Sequence, residues 1–301
     1  MVVRKPTNSS TVLLAIGFVF FWNSGFVAAE NELPYAGPFT QLFWRYLSLC
    51  LVMAAFLIVR GRLRWPGWKR VSVAAVVGIL AHAAWLSFTL LSLATGVPAG
   101  IVALVVALQP LATGALSGLV VGEPVGRMRW LGLLIGFAGV AVTVAARMET
   151  TKGVPFHGYF LPFGAAFSMT TASLIQRRTE VCWPERILPM GQQLFWQSVA
   201  SCLVLIGPAL VVEQLATEWT QEFVVTMAWL VVAVSLLAYA LMFKLLGKVD
   251  AARVASLFYF GPPVTMLMAW VMFGDQVRPM DGLGFAIVAV GVFLSHWCDR
   301  G

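Results

Sequence analysis

The stretch Gln41-Leu-Phe-Trp-Arg45 returns 152 residues later as Gln193-Leu-Phe-Trp-Gln197. The same shift lays Pro110 on Pro262, Gly122-Glu123 on Gly274-Asp275, Val125 on Val277, Gly132 on Gly284 and Gly139 on Gly291. One register serving several separate segments marks an internal duplication. It divides the chain into two halves, 1–152 and 153–301.

Each half is a series of long apolar runs. A helix needs about 20 mainly apolar residues to cross about 30 Å of hydrocarbon. Ten runs approach or exceed that length: Thr11–Ala29, Phe39–Val59, Val71–Leu93, Val97–Val121, Trp130–Ala146, Tyr159–Ile175, Leu188–Val212, Phe223–Leu246, Ala251–Phe273 and Gly282–Trp297. They are continuous rather than alternating, which excludes a transmembrane β-barrel. The chain is 60% hydrophobic and 11% charged, whereas a soluble domain carries about 25% charge. So few charges suffice for the two faces of a membrane protein but not for a water-soluble globule. The expected fold is all-α integral membrane: ten transmembrane helices around a central cavity. Five spans per half is an odd number, so the second half enters the membrane upside down. Inverted halves can exchange inward-open and outward-open shapes about a site near the midplane, a device of secondary transporters.

The cations give an expected orientation. With the N-terminus inside, sixteen of the 20 Lys and Arg fall in cytoplasmic segments: Arg4, Lys5, Arg60, Arg62, Arg64, Lys69, Arg70, Arg127, Arg129, Arg177, Arg178, Arg186, Lys244, Lys248, Arg253 and Arg300. Arg147, Lys152 and Arg278 fall on the other side with Glu30, Glu32, Glu213, Glu218 and Glu222. This bias predicts both termini in the cytoplasm of an inner (plasma) membrane. It also accounts for the net charge of +7 without nucleic acid. The first apolar run lacks a small-x-small cleavage site and is followed by further spans, so it reads as a span rather than a signal peptide.

Catalytic and cofactor signatures are sparse. Cys50, Cys182, Cys202 and Cys298 form no CxxC pair and read as free thiols. His82, His157 and His296 are dispersed, with no HExxH, and there is no Walker A sequence. No enzyme, metal site, cofactor or direct ATP use is expected.

The residues also resemble a known family. In Trp85–Val142 an aromatic, small residues, a mid-helix proline, a Gly-Glu pair and a glycine-rich last helix follow in order. Val249–Leu294 is similar, with Asp275 where Glu is usual. Both segments resemble the EamA family of the drug/metabolite transporter superfamily, and the resemblance covers essentially the whole chain. It implies ten helices, a central cavity and export or exchange of amino acids and related metabolites.

Arg45 is the outstanding site candidate, about 9 Å into its span at 1.5 Å per residue. An intramembrane charge is expensive and usually faces the bundle interior. Its guanidinium suits a carboxylate or phosphate; snorkelling, or a pair with Glu30 or Glu32, is the alternative. The duplication sets Gln197 at the matching position. Gln41 and Gln193 lie one turn earlier, and Trp44 and Trp196 beside the pair. His82 with Trp85, Trp22-Asn23, Gln109-Pro110, Tyr239 and Tyr259 complete the expected lining. Pro110, Pro262 and Pro263 are candidate hinges, since a proline deletes a backbone hydrogen bond; static kinks are the alternative. Glu123 and Asp275 read as architectural, set to stabilise the following helix N-terminus. The Gly132-x-x-x-Gly136 pattern permits close packing within the bundle or in a homodimer. The substrate expected is a small amphipathic metabolite, an amino acid or related anionic or zwitterionic compound. A lipid or lysolipid flippase, and at greater distance an intramembrane lipid-modifying enzyme, are the other readings.

Overall fold

The structure is a computed structural model that describes residues 9–122, 126–150, 153–249, 254 and 256–297. Arg4, Lys5, Glu123, Val125, Lys152, Ala251, Arg253, Cys298, Arg300 and the side chains of His296 and Trp297 lie outside the described residues.

The described chain is helical. Its long helices are α1 (Ser9–Glu32), α2 (Pro38–Val59), α3 (Trp68–Ala94), α4 (Ala99–Val106, resuming as Gln109–Val121), α5 (Arg127–Thr150), α6 (Leu161–Cys182), α7 (Met190–Val211), α8 (Gln221–Leu246), α9 (Phe258–Phe273) and α10 (Pro279–Trp297). Among the described residues seven of them, α1 to α5, α7 and α8, are long and apolar enough to cross a membrane, and α9 and α10 are shorter apolar helices. α6 is as long as α2 but carries Gln176, Arg177, Arg178 and Glu180 in its last turns. Large apolar side chains such as Leu13, Leu119, Leu203 and Val271 are exposed on the outside of the bundle. In water such a surface would be costly; against lipid it is the expected face.

Helices related by the 152-residue shift pack on each other. α2 lies along α7 and α5 along α10, while α1–α8 and α6–α3 form a matching pair of contacts. Glycines set the α5–α10 spacing: a Cβ on Gly139 would meet the Gly284 carbonyl oxygen at 2.7 Å, and one on Gly291 would meet the Gly136 nitrogen at 2.9 Å. Backbones this close are typical of small-residue contacts in membranes. The glycine pattern therefore serves an interface within the chain. The same interface buries an ion pair in which the Arg147 Nε donates to Asp281 Oδ1 at 2.9 Å and Nη2 also meets that carboxylate.

Two further repeated features are local. Gly122 and Gly274 end α4 and α9 in the left-handed region, at φ 77° and 74°, where a Cβ would be strained. The prolines accompany interruptions within their spans. Pro110 and Pro262 sit in the first turn of a restarted helix, after the turn at Ala107–Leu108 and the 3₁₀ turn Phe258–Phe260. There the missing N–H has no intrahelical partner to lose. The carboxylate at the start of α10 is also not the expected Asp275: Asp281 Oδ2 accepts from the Arg278 N–H at 2.8 Å.

The two ends of the bundle differ. At one, the Arg70 Nε donates to the Glu185 carbonyl at 2.7 Å and Gln192 Nε2 to the Arg62 carbonyl at 2.8 Å, which joins the cation-rich connections. At the other, Ala36 and Thr217 form an antiparallel bridge and the Glu213 carboxylate accepts from the Phe39 and Thr40 N–H groups at the start of α2.

Candidate functional site

α3 and α8 each contain a π-helical segment, Ile79–Ala84 and Leu230–Leu237, and the duplication lays one over the other. A π turn holds one more residue than an α turn, so side chains rotate out of register, and such bulges concentrate at functional sites. Here they present His82 and Ser235 to the two repeat-related residues. Arg45 Nε and Nη2 donate to Ser235 Oγ at 3.2 and 3.0 Å. Ser235 Oγ in turn donates to the Leu230 carbonyl, five residues back, at 2.9 Å. On the other side, His82 Nε2 lies 3.2 Å from Gln197 Oε1. The sequence pair Arg45/Gln197 thus becomes two buried polar links, α2–α8 and α7–α3.

The His82–Gln197 link borders a cavity of about 1410 Å³, whose lining includes neither Arg45 nor Ser235. Its deep end is aromatic, with Trp22, Phe26, Trp85 and Tyr239 around His82. The Trp22 and Tyr239 rings stand 5.3 Å apart and those of Phe26 and Trp85 6.2 Å apart. The mouth lies at the cation-rich end, among Arg129, Gln176, Arg177 and Glu180. Beyond the aromatic floor a small recess of about 40 Å³ continues toward the other end, bounded by Gly25, Arg45, Tyr46, Thr89 and Ser235. Arg45 is 6% exposed. Its hydrogen-bond partner among the described residues is the neutral Ser235 hydroxyl, with no carboxylate of Glu30 or Glu32 at ion-pair distance. The Trp85 Nε1–H is buried and meets no acceptor among the described residues. A buried cation therefore stands at a small recess beyond the apolar cavity, with Trp85 in the lining of both, an arrangement suited to the anionic head of an amphipathic ligand.

The other expected residues divide. Asn23 is in the cavity wall, with Nδ2 donating to the Val19 carbonyl at 2.7 Å and Oδ1 accepting from Thr265 at 3.4 Å. Gln109 and Pro110 are there too, Gln109 Nε2 reaching Thr113 at 3.2 Å and Ser173 at 3.3 Å. Gln193, in the wall near the mouth, donates to Gln176 Oε1 at 3.1 Å. Pro262 lines the cavity; Pro263 and Tyr259 stand outside its wall. Gln41 is turned away from it, its amide donating to the Ala29 carbonyl at 3.3 Å and Glu32 Oε2 at 3.0 Å. Trp196 packs on Trp65 at 5.2 Å, and Trp44 on Trp219 at 5.2 Å. Each tryptophan is only six residues into its helix, so these rings brace opposite ends of the α2–α7 pair rather than reaching the deep floor. Cys50, Cys182 and Cys202 are free thiols.

Sequence reasoning missed Ser235, Tyr46 and Thr89. Ser235 could have been flagged by its equivalence to the residue after His82, but the π register that aims it at Arg45 leaves no mark in composition.

Comparison with known proteins agrees with this architecture. The EamA-like transporter family model matches twice, over residues 9–145 and 156–297. The transporter YvbV of Bacillus subtilis (strain 168) is 25% identical over 98% of this chain and 94% of its own length. A probable amino-acid metabolite efflux pump of Salmonella typhimurium (strain LT2) is 23% identical over 94% of this chain and 93% of its own. A solved crystal structure, 18% identical, superposes with a TM-score of 0.65 over 97% of this chain and 98% of its own, a likeness of fold. The protein is a multi-pass membrane protein, and the chain belongs to the EamA-like transporter family.

Proposed function

We propose that this transporter carries a small amphipathic carboxylate, an amino acid or related metabolite, by alternating access between two inverted halves, 1–152 and 153–301. The separate family matches to each half and the packing of α2 on α7 and α5 on α10 support ten crossings in two repeats. Cation bias supports cytoplasmic termini, so the cavity mouth faces the cytoplasm and the structure is an inward-open state.

One observation carries the substrate class: the buried Arg45 has a neutral partner and lines a recess that it shares with Trp85. A desolvated cation is costly until an anion joins it. The Salmonella relative's name supports the same chemistry. A thermal-shift screen of purified protein tests it. Amino acids and aromatic carboxylates are expected to raise Tm, their amides are not, and Arg45→Ala removes the effect. A ligand at 100 times its Kd stabilises the folded state by about 2.7 kcal/mol. The cavity volume exceeds the roughly 300–1,000 Å³ of most ligand pockets, which leaves room for a larger amphiphile. A response to lysolipids alone would turn the reading toward a flippase.

A further inference from the structure

Glu32 closes α1 and is fully buried, at 0% exposure. Its Oε2 accepts from the Gln41 amide at 3.0 Å, and its Oε1 meets no donor among the described residues. A buried carboxylate with one neutral donor is poorly satisfied as an anion; as an acid it is tolerable. Gln41 is one helical turn before Arg45 on the same face of α2, and the Arg45 charge reaches Glu32. Other ionisable groups nearby are otherwise disposed. Glu30, on the same helix, also has a buried oxygen, Oε2, without a partner among the described residues, but it is Glu32 that Gln41 ties to α2; Glu213 is held by the Phe39 and Thr40 N–H groups; the Tyr46 ring lies tilted against His82 at 5.4 Å.

We propose that Glu32 is a proton-carrying site that couples transport to the proton gradient, by competing with the substrate carboxylate for Arg45. With substrate on Arg45, Glu32 has no counter-ion and takes a proton. With the site empty, Glu32 can release its proton, and Arg45 then leaves Ser235 and swings one turn along α2 to the ionised carboxylate. The cycle therefore moves one proton in the same direction as each substrate. Ser235 marks the substrate-ready position, because it holds the guanidinium away from Glu32 and at the recess.

This rests on the carboxylate reading above, so the test has two arms. In proteoliposomes with the membrane potential clamped at zero, labelled L-phenylalanine is the probe. A one-unit pH gradient, acid outside, is expected to drive up to about tenfold accumulation through wild type. Glu32→Gln is expected to keep counterflow exchange and lose the gradient-driven accumulation. Accumulation indifferent to the gradient in wild type, or retained in Glu32→Gln, overturns coupling. The second arm needs no substrate. The infrared spectrum of the ligand-free wild type minus that of Glu32→Gln should show a protonated-carboxyl band that fades as pH rises. If L-phenylalanine is not transported, the carboxylate reading fails and this band alone decides whether Glu32 holds a proton; its absence at every pH overturns the site.

Discussion

Arg45 is enclosed by Tyr46, His82, Tyr239 and Ser235, with its charge answered by one hydroxyl. Removing it should abolish L-phenylalanine exchange without loss of folded protein, because the cost of burying the charge disappears with it. Arg45→Lys should leave weak activity, since an ammonium cannot form the bidentate contact. The Arg147–Asp281 pair gives the opposite outcome. Arg147→Ala strands a carboxylate that is 1% exposed and should cost about 3–5 kcal/mol, read as a lower Tm, while the protein that remains folded still binds ligand. Residue chemistry was legible where it breaks composition: an arginine in an apolar run stands out. Glu32 did not, because a carboxylate at the end of a span looks solvent-exposed until the start of α2, with Gln41, is folded against it.

At the level of elements, the repeated glycines and prolines were visible as a spacing of 152 residues, but their local roles were not. Most helix boundaries lie within a few residues of the apolar runs, because hydrocarbon thickness sets length, but α6 runs on seven residues past Ile175 to Cys182, through its polar last turns. The π segments were invisible, since they depend on packing, of the α3 segment on α6 and α7 and of the α8 segment on α1 and α2, rather than on propensity. α5 and α10 depend on backbone approach at Gly139 and Gly291. Gly139→Val should separate them and lower Tm by several degrees, whereas Gly114→Val, which faces open space, should leave Tm within about a degree.

For the whole molecule, the sequence carried the duplication and the charge bias, and both bear on where the cavity opens. Its depth and the asymmetry of its ends were not legible, because they arise from how the helices pack in three dimensions rather than from the apolar runs. In a cysteine-free background, Gly114→Cys in the cavity wall should react with a membrane-impermeant maleimide from the cytoplasmic face, while Ala29→Cys, buried above the floor, should not react from either face of the ligand-free protein. Reaction of Gly114→Cys from the outer face alone would reverse the assigned orientation.

The most direct test of the central claim is counterflow. Proteoliposomes loaded with unlabelled L-phenylalanine and diluted into a trace of labelled L-phenylalanine should show transient accumulation of label through wild type and none through Arg45→Ala. Equal accumulation through both proteins would contradict an Arg45-anchored, alternating-access carrier.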